Sequence, residues 1–298
     1  MIDLWYPAEP SLVEVEHAYG LGTGRVVPDA PSAPGSGSAI VLSHGAFGTA
    51  GSYAWIAEHL ARVGSAVCGV SHFGESPAFG LETIDPLAVI GLGARALDCS
   101  FALDRLLDGS MGVRVDGSRV GALGHSSGGA TVIALAGGVF DANAMARYCG
   151  SDGARGDHGC DYARGPASTI ELPDPSSFLD PRVRAVVAMD PALGPGFQED
   201  SLATIAIPVH VVGAMDNDFL PVEAHASRYA RLIPGCSFTQ LTDGEGHFVY
   251  LNACDSDLEA NGVPLCRDRG GVDRDAVHDR LAPIIRQAFD DALRGSDG

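Results

Sequence analysis

The chain has 298 residues and a formal net charge of −19, and all 19 of its basic residues are arginine. With 46% hydrophobic and 19% charged residues it can bury a sizeable core, which excludes global disorder. A field of this sign repels polyanions and argues against nucleic acid and anionic membrane surfaces as partners, and no apolar run approaches the ~18–20 residues of a membrane span.

Residues 1–7 read as strand and lack the basic and apolar regions of a signal peptide. The Pro-, Ser- and Gly-rich stretch 28–38 reads as a loop between early strands. Ala39-Ile40-Val41-Leu42 is a buried-strand run, followed by the turn Ser43-His44-Gly45, a helical pattern over 53–60 and a strand over 65–70. Residues 92–107 have helical spacing, 120–123 a strand pattern and 127–139 a helical one. Segments 183–189 and 209–212 are fully apolar strands, as a parallel sheet covered on both faces requires. A further strand spans 237–241, and the last helix runs from about 275 to 293.

The alternation predicts an α/β fold, a doubly wound, mostly parallel sheet with helices on both faces, in a single domain over 1–298. Residues 140–181, rich in Gly, Asp, Ser and Pro, interrupt it. They read as an insertion over the carboxyl ends of the strands, where α/β ligand sites lie, serving either as a lid or as a pinned surface excursion.

Of seven cysteines, four form two local pairs in polar loops, Cys149 with Cys160 and Cys254 with Cys266. Closing each loop of ~11 residues contributes roughly 2–3 kcal/mol in the chain-entropy model. Two disulfides predict an oxidising compartment, secreted or periplasmic. A zinc reading would recruit His158, but neither pair has C-x-x-C spacing. Cys68, Cys99 and Cys236 read as buried small hydrophobes.

Gly124-His125-Ser126-Ser127-Gly128 fits G-x-S-x-G, with a strand before it and a helix after. In that setting a serine at the tip of a strained turn projects its hydroxyl from the sheet. Ser126 is therefore the candidate nucleophile, and Ser127 contributes its backbone N–H. The base is expected last in chain order, which selects His247 in Gly244-Glu245-Gly246-His247-Phe248. His210 lies in a strand pattern and His59, His225 and His278 in helical ones, all read as structural. A second oxyanion donor is expected in the turn after the 39–42 strand, at Ala46, with His44 stabilising that turn.

Together, Ser43-His44-Gly45, Gly124-His125-Ser126-Ser127-Gly128, Asp190-Pro191-Ala192-Leu193-Gly194 and Gly246-His247-Phe248 resemble the dienelactone-hydrolase-related group of α/β-hydrolases. That group is similar to platelet-activating-factor acetylhydrolases and plant chlorophyllases. The resemblance implies the α/β-hydrolase fold and places the acid at Asp190; the commoner arrangement in the fold would place it at Asp216 or Asp218, after the next strand. It implies a serine carboxylester hydrolase acting through an acyl-enzyme on a small to medium ester, lactone or acyl lipid, with no metal or organic cofactor. A noncatalytic module on the same fold, or an acyltransferase, are the rival readings.

Overall fold

The computed structural model describes residues 1–9, 12–35, 37–85, 88–89, 91–162 and 174–294. Seven strands form the main sheet: β1 (Ile2–Trp5), β4 (Gly37–Ser43), β5 (Ala66–Val70), β6 (Val115–His125), β7 (Val183–Met189), β8 (Val209–Ala214) and β9 (Ser237–Leu241). Their order is β1-β5-β4-β6-β7-β8-β9. β1 pairs antiparallel with β5, and every other pairing is parallel. The sequence changes direction from β4 outward, first to β5 and then back across to β6, so β4 and β6 flank the switch point where α/β sheets place their ligands.

Alternation along the strands feeds two cores. Ala39 and Val41 of β4, with Val186 and Ala188 of β7, face α2 (Leu92–Leu107), α3 (Ser127–Leu135) and α6 (Ala226–Leu232). Ile40, Leu42, Val187 and Met189 face the opposite way, toward α1 (Ala54–Arg62) and α7 (Arg274–Leu293). With both faces covered, the strands must be apolar throughout, and this is why they read as continuous hydrophobic runs. A hairpin of β2 (Val15–Ala18) and β3 (Thr23–Val26) stands apart from the sheet. Its turn docks on α1, where Tyr19 Oη donates to Glu58 Oε1 at 2.9 Å. Among the described residues no helix is long and apolar enough to cross a membrane.

One helix ends earlier than its apolar pattern suggests. The 127–139 pattern yields α3 only to Leu135, because Gly137 turns left-handed at φ 111° and the Gly138 N–H caps the Ile133 carbonyl at 3.0 Å. His225 also departs from the helical reading, standing just ahead of α6 rather than within it.

Of the 140–181 segment, residues 163–173 lie outside the described residues. The rest carries α4 (Ala142–Cys149) and a disulfide from Cys149 to Cys160, with Cα atoms 5.3 Å apart. Because those sulfurs are joined they cannot serve as zinc thiolates, and the His158 ring stacks on Phe219 at 5.1 Å. A buried pair holds this segment to the loop after β8: His225 Nε2 donates to Asp157 Oδ2 at 2.8 Å. The second disulfide, Cys254–Cys266 with Cα atoms 5.2 Å apart, closes the loop that bears the hairpin β10 (Glu259–Ala260) and β11 (Val263–Pro264). Cys68 and Cys99 are free and buried, and burial pushes both thiols up to about 12. Cys236, also free, is only partly buried.

Both bridged loops have few apolar residues of their own, so their order depends on the bridges. Reduction with a thiol should lower the melting temperature by several degrees, from roughly 2–3 kcal/mol per loop. Calorimetry with and without reductant checks this, and an unchanged midpoint would mean that the loops are held by other contacts.

Candidate active site

Ser126 sits between the end of β6 and the start of α3 with φ 56° and ψ −120°, a left-handed conformation costing of order 1–3 kcal/mol for a non-glycine residue. Its own peptide groups hold it there. The Ser126 N–H donates to the Met189 carbonyl of β7 at 3.0 Å, and its carbonyl accepts from Ala130 N–H at 3.1 Å and Ala192 N–H at 2.9 Å. The flanking glycines make the turn sterically possible. A Cβ on Gly124 would lie 2.1 Å from the Gly128 carbonyl oxygen, and one on Gly128 would lie 1.9 Å from that of Ser43. Ser126 is 8% exposed, whereas Ser127 is 2% exposed.

His247 follows β9 and opens a single 3-10 turn, His247–Tyr250. Three side-chain donors fix the carbonyls of that turn. His125 Nε2 donates to the His247 carbonyl at 3.0 Å, His278 Nε2 to that of Val249 at 2.8 Å and Trp55 Nε1 to that of Tyr250 at 2.8 Å. The His247 backbone N–H donates to Asp218 Oδ1 at 2.9 Å, and Phe219 stacks on the imidazole at 5.2 Å, nearly parallel. The ring can therefore shift little, and its Nε2 stands 3.0 Å from Ser126 Oγ.

Asp190 ends β7 at φ 38° and is 1% exposed. Its Oδ1 accepts from Ala214 N–H and its Oδ2 from Asn217 Nδ2, both at 2.9 Å. Oδ2 is also 3.5 Å from His247 Nδ1, longer than a hydrogen bond and of the kind that tightens when the imidazole gains charge. Asp216 is exposed, and the interaction seen for it is a backbone one, its carbonyl receiving Arg269. The structure thus brings Ser126, His247 and Asp190 together and leaves the Asp216 carboxylate outside. Asp218 sits between these cases, anchoring the backbone of His247.

Burial sets the protonation of the group. It pulls the His247 imidazole down to about 3, with the Asp218 charge opposing. It pushes the Asp190 carboxyl up, against the N–H donors from Ala214 and Asn217. His125 is held well below the ordinary histidine range, by burial first and by His247 second. A neutral His125 that donates from Nε2 must accept at Nδ1, so Tyr53 Oη donates to it, at 2.9 Å, and itself accepts from Gly45 N–H at 3.0 Å. This chain links the turn after β4 to the serine turn and to the His247 turn.

The turn after β4 carries Ala46. It is closed by Gly48 N–H to the Gly45 carbonyl at 3.1 Å, with Phe47 left-handed at φ 56°. A Cβ on Gly45 would lie 3.2 Å from Ser126 Cβ, so this turn packs directly against the serine. The peptide group bearing the Ala46 N–H has its carbonyl, Gly45 O, doubly bonded, by Gly48 N–H and by His44 Nδ1 at 2.6 Å. The peptide bearing the Ser127 N–H is held in the same way through the Ser126 carbonyl. Hydrogen bonds to a peptide oxygen fix the plane and polarise its N–H. Ser127 also opens α3, where backbone N–H groups have no intrahelical acceptor.

The sequence singles out neither His125 nor Tyr53 as a support of this site, and Asp218 only as an alternative position for the acid. His125 occupies the variable position of G-x-S-x-G, and Tyr53 reads as part of an apolar helix face.

The chain belongs to the alpha/beta hydrolase family, whose profile matches residues 40–256. Among solved structures it is similar to a ferulic acid esterase from Streptomyces cinnamoneus, at 23% identity and a TM-score of 0.65, over 100% of this chain and 83% of that one. No curated protein shows significant sequence similarity.

Proposed function

We propose that this protein is a serine carboxylester hydrolase in which Ser126, His247 and Asp190 form the triad and the N–H groups of Ala46 and Ser127 form the oxyanion hole. The observation that carries the reading is the 3.0 Å approach of His247 Nε2 to Ser126 Oγ, with Asp190 on the far side of the same ring. His247 takes the hydroxyl proton as Ser126 attacks the ester carbonyl, and Asp190 offsets the charge on the imidazolium. The tetrahedral oxyanion is received by the two N–H groups, and the leaving alcohol departs with the proton from His247. Water, activated by the same imidazole, then releases the acid from Ser126.

The acid after β7 rather than β8 supports placing the chain in the dienelactone-hydrolase-related group, although the serine nucleophile counts against dienelactone hydrolysis itself. The half-buried rings of Phe47, Tyr162 and Phe248 flank the turns of the hole and the base, with Phe47 edge-on to Tyr162 at 5.4 Å. They support an apolar or aromatic acyl group of small to medium size. The described part of the 140–181 segment, residues 140–162 and 174–181, is tied through Asp157 to the loop after β8, which supports a single domain. An acyl-chain series of chromogenic esters tests this, with turnover of at least one member expected and none contradicting it.

The pH profile adds a second check. A base is active when unprotonated, and burial lowers the pKa of His247 from 6.5 to about 3, so the imidazole stays neutral as the pH falls through 6.5. The acid limb of kcat/KM should therefore lie below pH 6.5. A limb at or above that value would show that the carboxylate, not burial, dominates the free enzyme.

A further inference from the structure

Behind the turn that carries Ala46 lies a guanidinium that the chemistry above does not use. Arg95, on the buried face of α2, is 1% exposed, as is the Glu75 carboxylate paired with it at 2.5 Å. Its Nε donates to Thr131 Oγ1 at 3.1 Å, and its Nη2 donates to the His44 carbonyl and, at 3.4 Å, to Ser43 Oγ. Thr131 Oγ1 in turn donates to the Ser127 carbonyl at 2.9 Å.

These partners lie on both walls of the proposed oxyanion hole. His44 immediately precedes the Gly45–Ala46 peptide, and Ser127 supplies the other N–H. Arg95 is bonded into both walls, directly to one and through Thr131 to the other. Removing two charges from water is costly, and replacing a buried pair with apolar groups of similar volume is often neutral or stabilising. Stability alone therefore gives no account of a buried pair at this place. We infer that Arg95 is a positioning residue of the oxyanion hole: through the His44 and Ser127 carbonyls, each on the peptide adjoining a donor peptide, it fixes the separation of the two donors while Glu75 fixes the guanidinium. This inference rests on the esterase reading.

The neighbouring side chains fit the same role. Ser43 Oγ is 2.9 Å from His72 Nε2, and His72 Nδ1 is 2.9 Å from Asp98 Oδ2. These are triad-like distances, but Ser43 and His72 are each only 1% exposed and the Ser43 hydroxyl accepts from Arg95 while donating to His72. No acyl group reaches it. Instead, the His72 backbone N–H donates to His44 Nε2 at 3.1 Å, fixing the tautomer that puts a proton on His44 Nδ1 behind the Gly45 carbonyl.

The test is the double variant Arg95→Met, Glu75→Leu, compared with wild type in thermal unfolding, in kcat and KM for a chromogenic ester, and in inhibition by a boronic acid. It should melt no lower than wild type. Its kcat should fall about 10–100-fold, less than the about 10²–10³ that follows outright loss of one donor, with KM nearly unchanged. Affinity for the boronic acid, whose serine adduct is a tetrahedral anion, should fall by the same factor. Arg95→Lys keeps the charge but not the planar fork, and its kcat should also fall.

Wild-type kcat in either variant would overturn the inference, and so would a loss expressed only in KM or in melting temperature. If the double variant melts early, Thr131→Val decides, since it keeps the Arg95–Glu75 pair and the bond to the His44 carbonyl and breaks only the Arg95–Thr131–Ser127 link. A several-fold lower kcat at unchanged KM supports the brace, and an unchanged kcat overturns it. A wild-type protein inactive on every ester would instead sink the esterase reading and this inference with it.

Discussion

Ser126→Ala is expected to lower kcat for ester hydrolysis by about 10⁶-fold, some 8 kcal/mol of transition-state stabilisation, while leaving the fold unchanged. The bond to be made runs through a single oxygen. Ser126 Oγ stands 3.0 Å from His247 Nε2, and the far side of that ring faces Asp190; the Ser43–His72–Asp98 set has similar distances, but Ser126 is 8% exposed where Ser43 is 1%. The turn itself is held by backbone groups, from Ser126 N–H to Met189 and from Ala130 and Ala192 to the Ser126 carbonyl. Alanine keeps all of them, so thermal unfolding should match wild type. Residual activity should be that of a hole and a pocket without a nucleophile. Full activity in a correctly folded alanine variant would show that the chemistry lies elsewhere on the molecule.

Asp190→Asn should lower kcat by about 10⁴-fold, near 5 kcal/mol. An asparagine can still accept from Ala214 N–H through its oxygen. Its NH2 would then stand where Oδ2 faces His247 Nδ1 and would favour the tautomer protonated at Nε2. That tautomer presents Ser126 with a donor where the reaction needs a lone pair. Asp218→Asn should cost far less, because its amide oxygen can still accept from the His247 backbone N–H. Asp216→Asn should be close to wild type, its side chain being exposed. Steady-state kinetics on the three variants, each first matched to wild type in unfolding, check the assignment. An active Asp190→Asn beside an inactive Asp218→Asn would move the acid to the loop after β8.

Much of this arrangement is legible in the sequence because it is local. The strand, tight turn and helix around Ser126 carry their signal between residues 120 and 139, and the cysteines of the two pairs stand 11 and 12 positions apart. The apolar runs of β4, β7 and β8 are legible because a sheet covered on both faces tolerates little else. The α3 boundary is less so: residues 136–139 continue the apolar pattern, and only the left-handed Gly137 ends the helix.

What is not legible depends on approach between distant segments. Asp190 and Asp216 each follow an apolar strand and are chemically identical in the sequence. Their difference arises because Asp190 is turned inward under His247, from φ 38°, while Asp216 faces solvent. Asp157 and His225, 68 residues apart, form a buried pair that no spacing announces. Arg95 lies in an amphipathic stretch where an arginine reads as a solvent-facing residue. Its burial follows from Glu75, which the chain brings in from the loop after β5.

The most direct measurement is reaction of the native protein with a fluorophosphonate, followed by peptide mapping. The account predicts one adduct per chain, on Ser126, with labelling slowed by orders of magnitude in a folded His247→Ala variant. An unlabelled native protein, or an adduct on another residue, would contradict it.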